Sequence, residues 1–264
     1  MQLDSNFEGG NLEQGFLDPD NRCYLLLQDD TRTQSMSYWF NFTVLSIEGG
    51  KQKFTIVNLT RPLSPLGHFT ATANSRSYPI PYDCEETVYV SAITGKTFWK
   101  ASFECELQPM ESVSLSLAAP YTYAQLNKHL SLLRHHKRVK VEEIGRTVGG
   151  VPIEALRVGK QKDKKQKLIV VTARQHPCET VSSKVCEALL DCLISSRGKD
   201  FIDRFTLLVI PMVNIDGVLR GNTRTNLLGY DTNRCWDKMS PNFQGENKLI
   251  WNYLSEIIRA EGKA

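Results

Sequence analysis

Two apolar runs with an amphipathic stretch between them limit what the second half of this chain can fold into. Residues 168–171 (Leu-Ile-Val-Val) and 205–213 (Phe-Thr-Leu-Leu-Val-Ile-Pro-Met-Val) read as buried strands, the first of them in a parallel sheet. Between them, residues 181 to about 194 space Val181, Val185, Ala188, Leu189 and Cys192 along one helical face, with Thr180 or Ser182 able to cap the start. Strand, loop, helix and strand in this order predict a doubly wound α/β unit. Open α/β sheets put their ligand sites at the carboxyl ends of strands, and the loop at that place is Arg174-Gln175-His176-Pro177-Cys178-Glu179-Thr180. An imidazole and a carboxylate three residues apart on a turn can reach one small cation, and zinc accepts N and O ligands at roughly 2.0–2.2 Å. A lone His-x-x-Glu also occurs in many proteins with nothing bound.

The second run ends in Asn214-Ile215-Asp216-Gly217, residue types that favour a turn. After it come Gly221-Asn222-Thr223-Arg224 and Gly229-Tyr230-Asp231-Thr232-Asn233-Arg234-Cys235-Trp236. Arginines in such glycine-punctuated loops suit a planar, two-pronged grip on a carboxylate that lysine would not reproduce. For either arginine by itself a solvated loop charge is the favoured reading.

The first 121 residues differ in kind. Short runs at 23–28, 38–44, 53–58, 87–91, 97–103 and 112–117 alternate, are rich in aromatic and β-branched residues, and are separated by turn-forming segments. Such a pattern predicts an antiparallel β-sandwich with its aromatic residues turned inward. From Tyr123 the periodicity changes to a helix over 124–133, followed by two strands that flank Val148-Gly149-Gly150 as a hairpin, and then a lysine-rich loop over 160–167. A helix is expected over 246–259. The expected domains are therefore residues 1–121 and 122–264.

Composition narrows the partners. A net charge of +3 over 264 residues is too small to argue for nucleic acid or a membrane surface. No apolar run approaches the roughly 18 residues of a membrane span, and the first residues lack a basic-then-apolar signal pattern, so a cytoplasmic location is expected. Seven cysteines without paired spacing read as free thiols, in agreement with that location. Cys178, between the two candidate ligands, reads as a small side chain at a tight turn.

In their order, His176-Pro177-x-Glu179-Thr180, Pro211-Met212-x-Asn214-x-Asp216-Gly217-Val218, Gly221-Asn222-x-Arg224 and Asp231-x-Asn233-Arg234-x-Trp236 resemble the zinc carboxypeptidases of the carboxypeptidase A type. Residues 4–12 (Asp-Ser-Asn-Phe-Glu-Gly-Gly-Asn-Leu), 39–42, 54–58 and 120–123 resemble the β-rich domain that precedes the catalytic domain in the cytosolic carboxypeptidase branch. The resemblance implies a β-sandwich followed by a carboxypeptidase-like α/β domain, a mixed sheet with helices on both faces. It implies zinc as cofactor, His176 and Glu179 as two of its ligands, Arg224 at the scissile carbonyl, and Asn233 with Arg234 at the terminal carboxylate of the substrate. By the same resemblance the substrates are protein or peptide C-terminal tails, with glutamate-bearing tails such as those of tubulin as an expected case.

One departure stands against the family pattern. The family has a third zinc-binding histidine and a later glutamate that serves as general base, yet no histidine follows His176 here. The catalytic domain is accordingly expected to be C-terminally incomplete, and the 264 residues alone inactive. Two further functions compatible with these residues are a metal-free binding or scaffold relative and a zinc N-acyl amino acid deacylase. The β-rich first half speaks against the deacylase.

Overall fold

The computed structural model describes all residues except 34–35, 64–67, 75, 91–94, 160–166 and 261–264, and of residues 84–90 the backbone only. The expected lysine-rich loop over 160–167 thus lies outside the described residues but for its last member. Internal contacts divide the chain into two compact units. One comprises Met1–Pro120 with Leu219–Thr223, the other Tyr121–Val218 with Arg224–Ala264.

The first unit is built from β1 (Gln2–Asp4), β2 (Gln14–Leu17), β3 (Arg22–Leu26), β4 (Asn41–Leu45), β5 (Gly50–Leu59), β6 (His68–Ala73), β7 (Arg76–Val90), β8 (Thr97–Leu107) and β9 (Ser112–Ser116). They form one nine-stranded sheet in the order β1-β4-β9-β6-β7-β8-β5-β3-β2. The long β7 joins its halves: its first part pairs with β6 and its second with β8. Alternation decides which side each strand buries. In β8, Ala101, Phe103, Cys105 and Leu107 are buried while Glu104 and Glu106 face outward, where Glu104 pairs with Lys51 and Lys53 of β5. Phe40, Phe42 and Phe69 from one half meet Phe54 and Phe103 from the other, with the ring centroids of Phe69 and Phe103 5.1 Å apart. Each of these rings removed from water contributes roughly 1.5–3 kcal/mol, so this cluster is the centre of the unit's stability.

Pairing here is not antiparallel throughout, as the alternation had suggested. β3 and β5 run parallel, Arg22 opposite Lys53 and Leu25 opposite Ile56. The cause lies in the connection: after β3 the chain crosses to the other half to form β4, then returns in the original direction. Short edge pieces such as β1 and β2 also escaped the sequence pattern, since three or four residues show too little alternation to count.

The second unit contains α1 (Tyr123–Leu133), β10 (Val139–Arg146), β11 (Pro152–Val158), β12 (Lys167–Thr172), α2 (Thr180–Ile194), α3 (Lys199–Arg204), β13 (Phe205–Ile210), α4 (Ile215–Arg220) and α5 (Gly245–Ala260), the end of α4 passing into the other unit. Its sheet is mixed, in the order β10-β11-β13-β12. β10, β11 and β13 are antiparallel neighbours, while β12 runs parallel to β13. Thr122 and Gln125 close a capping box that starts α1. His129 of α1 meets Asp191 of α2 at 2.8 Å. Among the described residues no helix is long and apolar enough to cross a membrane. The six described cysteines are free thiols, and the side chain of Cys84 lies outside the described residues.

Four local expectations are corrected. Among the described residues β12 pairs with β13 alone, and Val170 is 39% exposed where a buried strand was expected. α2 buries Thr180, Ser183, Cys186, Leu190 and Leu193, whereas Val181 and Val185 of the expected apolar face are 66% and 61% exposed. Cys186, Leu190 and Leu193 recur at helical spacing as well as the valines do, and periodicity alone could not rank the two stripes. Thr180 lies inside α2, and no side chain caps its start. Finally, residues 214–217 open α4 and do not make a free turn. Asn214 Oδ1 accepts the Gly217 N–H at 3.0 Å, as a capping side chain does. A Cβ on Gly217 would stand 2.6 Å from that oxygen and 2.4 Å from Pro177 Cγ, so glycine is required where this helix meets the 174–180 loop.

Candidate active site

Backbone pairing carries on beyond the ends of the two parallel strands and fixes the loops that follow them. Ala173 N donates to Ile210 O, Val213 N to Ala173 O and Asn214 N to Arg174 O, so the 174–180 loop and the start of α4 leave the sheet side by side. Arg174 takes a left-handed backbone conformation, φ +55°, which turns the chain sharply. Its guanidinium is buried and donates to Pro177 O at 2.7 Å, Tyr121 O at 3.1 Å and Ser183 Oγ at 3.0 Å. The sequence offered Arg174 only as the loop's first residue. The structure makes it the loop's internal brace.

Gln175 ties in the second loop. Its carbonyl accepts from Thr232 Oγ1 at 2.6 Å, and its Oε1 accepts from the Trp236 indole N–H at 2.9 Å. Residues 225–231 form a small turn: Thr225 bridges Asp231, and Asn226 Oδ1 accepts the Leu228 and Tyr230 N–H groups at 3.0 Å. Asp231 is thereby delivered to His176.

His176 is 5% exposed and stands between two carboxylates. Nδ1 is 2.8 Å from Glu179 Oε1, and Nε2 is 3.0 Å from Asp231 Oδ1. Asp231 also accepts from Arg224 Nε through Oδ2 and from Asn233 N at 2.8 Å. Burial pushes the Asp231 carboxyl up. The hydrogen bond from His176, the Asn233 N–H and the Arg224 guanidinium together outweigh it and hold the group below the usual carboxylate range. A carboxylate on one ring nitrogen of a histidine holds the N–H there and leaves the other nitrogen's lone pair outward, the arrangement found behind metal-binding histidines. Here that other nitrogen lies 2.8 Å from Glu179 Oε1, so an imidazole nitrogen and a carboxylate oxygen converge on one place. The donor set therefore fits a zinc ion as two of its ligands. Among the described residues no group of three or more His, Cys, Asp or Glu side chains could hold a metal.

Of the residues expected from the sequence, His176, Glu179 and Arg224 come together, with Asp231 as the link. Asn233 joins through its backbone N–H. Arg234 is exposed, and its Nη1 donates to Asn233 O at 2.9 Å. Asp231 was visible in the Asp-x-Asn-Arg stretch, and the need of a buried imidazole for a second partner was the signal that could have singled it out.

Behind the site, Glu246 at the start of α5 is fully buried. Its Oε2 accepts from Asn226 Nδ2 at 2.8 Å, while Oε1 has no hydrogen-bond partner. Burial raises its carboxyl pKa and the nearby Asp216 adds to the rise, against the lowering effect of Asn226. The folded value thus lies above the unfolded one of about 4.3, and the stability tied to this group is full below that pH and lost as pH rises through the folded value. Glu246→Gln is expected to melt with the wild type near about pH 4 and a few degrees higher than it at about pH 7.5. Parallel melting curves across that range would contradict the assignment.

Residues 126–252 match the zinc carboxypeptidase family. The chain is similar to cytosolic carboxypeptidase 3 of Mus musculus, 28% identical over 260 residues that make up 90% of this chain and 26% of that protein. It is also similar to cytosolic carboxypeptidase 6 of Homo sapiens, 28% identical over 256 residues, 90% of this chain and 50% of that protein. The chain therefore spans no more than half the length of these two curated relatives. Among solved structures, a metallo-carboxypeptidase from Pseudomonas aeruginosa superposes with a TM-score of 0.79 and 25% identity over 99% of this chain and 67% of that one. The fold is shared as well with a metallo-carboxypeptidase from Burkholderia cenocepacia, TM-score 0.84 and 22% identity over 97% of this chain and 67% of that one.

Proposed function

We propose that this chain, whose residues 126–252 match the zinc carboxypeptidase family, supplies part of the active site of an enzyme that removes C-terminal residues from protein tails. The observation that carries this reading is His176 held by Asp231 on one ring nitrogen and turned to Glu179 on the other. His176 Nδ1 and the Glu179 carboxylate would hold zinc, which when bound acts as a Lewis acid and lowers the pKa of water. Asp231 keeps the imidazole in the orientation and tautomer that this needs.

Arg224, fixed by Asp231, would turn its guanidinium to the scissile carbonyl and stabilise negative charge as it develops on that oxygen. A preset guanidinium needs no reorganisation during the reaction. Asn233 and Arg234, exposed two and three residues after Asp231, would receive the terminal carboxylate, the group that restricts cleavage to chain ends. For that role Arg234 must release the Asn233 carbonyl, a rotation open to an exposed side chain.

The finer parts of the reading are acidic tails, including glutamate-rich tails of the tubulin kind, as substrate, a cytosolic setting, and a β-sandwich accessory domain over 1–121 before a catalytic domain over 122–264. The face-to-face aromatic core of the first unit supports the sandwich, and the names of the curated relatives support the setting.

N-acetylated peptides ending in glutamate, compared with their C-terminal amides, test the reading. The zinc-loaded chain is expected to bind the free acids about tenfold or more tightly, and Arg234→Ala to abolish the difference. Equal binding of acids and amides by the wild type would refute recognition of the terminal carboxylate.

A further inference from the structure

Asp231 closes the small turn over residues 225–231, and what holds that turn lies on the helix behind it. Within the turn Asn226 N donates to Tyr230 O at 2.9 Å and Gly229 N to Asn226 O at 3.0 Å. The Asn226 side chain braces it from inside, because its Oδ1 takes both the Leu228 and the Tyr230 N–H. Asn226 is 1% exposed, so the amide protons on its other edge need a partner within the protein.

That partner is Glu246 in the first turn of α5, whose Oε2 accepts from Asn226 Nδ2 at 2.8 Å. The donor and acceptor edges of an amide are fixed relative to each other, so holding Nδ2 also sets the direction in which Oδ1 meets the two backbone N–H groups. Tyr230 is the residue before Asp231, and one trans peptide places the next Cα about 3.8 Å away. On the far side of Asp231, Asn247 Nδ2 donates to Thr232 O at 2.8 Å. Two neighbours on α5 therefore hold positions 226 and 232, and Asp231 lies between them.

A fully buried carboxylate with one oxygen unsatisfied is a costly way to fill space. Leucine fills a comparable volume without that cost, so what the acid adds at this place is the acceptor it offers Asn226. We infer that Glu246 is a positioning residue for Asp231. By fixing Asn226 it sets the turn from which the Asp231 carboxylate reaches His176 Nε2 and Arg224 Nε. The whole relay from α5 to His176 runs inside the second unit. The inference rests on the proposed task of Asp231, which is to hold His176 for zinc. A space-filling role alone for Glu246 would move the melting temperature and leave the contact between Asp231 and His176 as it is.

The test follows imidazole N–H protons by NMR in the full chain, labelled at histidine nitrogen and without added metal. The His176 Nε2–H, identified as the signal lost in His176→Ala, is expected to exchange slowly with water in the wild type. His129, whose Nε2 meets Asp191 at 2.8 Å in the same unit, serves as the internal reference. Glu246→Leu is expected to speed exchange at His176 about tenfold or more and to leave His129 within about twofold. Glu246→Gln, whose side-chain carbonyl can accept the same Asn226 N–H, is expected to keep both signals near the wild type. Unchanged exchange at His176 in Glu246→Leu overturns the inference. Equal acceleration at His176 and His129 does so too, since it marks a general loosening of the unit, as does a Glu246→Gln protein as fast as Glu246→Leu.

Should Glu246→Leu fail to fold, Asn226→Ser breaks the same bond from its other end and keeps a hydroxyl that can accept within the turn. Slow exchange at His176 in that variant is equally fatal, and acceleration confined to His176 upholds the relay. Because neither zinc nor cleavage is the readout, the two ideas fail separately. A His176 proton that responds to Glu246 in a chain that does not distinguish free-acid peptides from amides counts against the proposed function and leaves the positioning of Asp231 standing.

Discussion

Asp231→Ala is expected to weaken zinc binding by the chain about 10- to 100-fold although it removes neither proposed ligand. The carboxylate touches the ring nitrogen of His176 that points away from Glu179, and it also fixes Arg224. Without it the imidazole loses the partner that selects its tautomer, and the ring gains freedom that binding must then remove. Asp231→Asn keeps an oxygen that can accept from Nε2 but loses the charge, so its loss should be smaller. Competition against a chelating dye gives the affinities, with His176→Ala as the variant in which specific binding disappears. If Asp231→Ala held zinc as the wild type does while His176→Ala did not, the carboxylate would be packing and nothing more.

The second large effect is on stability. Arg174→Met should lower the unfolding free energy by about 3 kcal/mol, or roughly 6–12 °C in melting temperature for a unit of this size. The guanidinium satisfies two backbone carbonyls and a hydroxyl in a buried place, and methionine fills much of the volume while leaving all three acceptors bare. The left-handed backbone at 174 remains, so its strain is no longer offset by those bonds. Arg174→Lys should recover only part of the loss, because an ammonium cannot span three acceptors set around a planar fork. A melting temperature within a degree of the wild type would show the bonds to be replaceable by water.

The strands and helices of the second unit were largely legible because they are long and strongly periodic, as in α5 or the uniformly apolar β13. The edge position of β12 was not, since four apolar residues in a row say nothing about how many neighbours a strand will have. α2 shows the same limit from another side. It carries two apolar stripes, and only the packing tells which one is buried. At the site, residue types and spacing located His176, Glu179 and Arg224. Asp231 and Arg174 were hidden because their roles are relations to other buried groups, 55 positions away for the contact of Asp231 with His176 and 53 for that of Arg174 with Tyr121. The parallel pairing of β3 with β5 was hidden for a related reason: strand direction is set by where the chain has been in between.

The excursion of Leu219–Thr223 also bears on how the protein is made. The amide of Asn11 bonds to a carbonyl 210 positions later, so the β-rich unit, though made before Gly221 and Thr223, must wait for them before its polar interior is complete. Until then Asn11 Nδ2 lacks its partner Gly221 O, and the amides of Tyr38 and Trp39 lack Thr223 Oγ1. Maturation of the β-rich half is thereby timed to synthesis of the stretch that bears Arg224, and a ribosome stalled before codon 219 would release a nascent product with that interior unsealed.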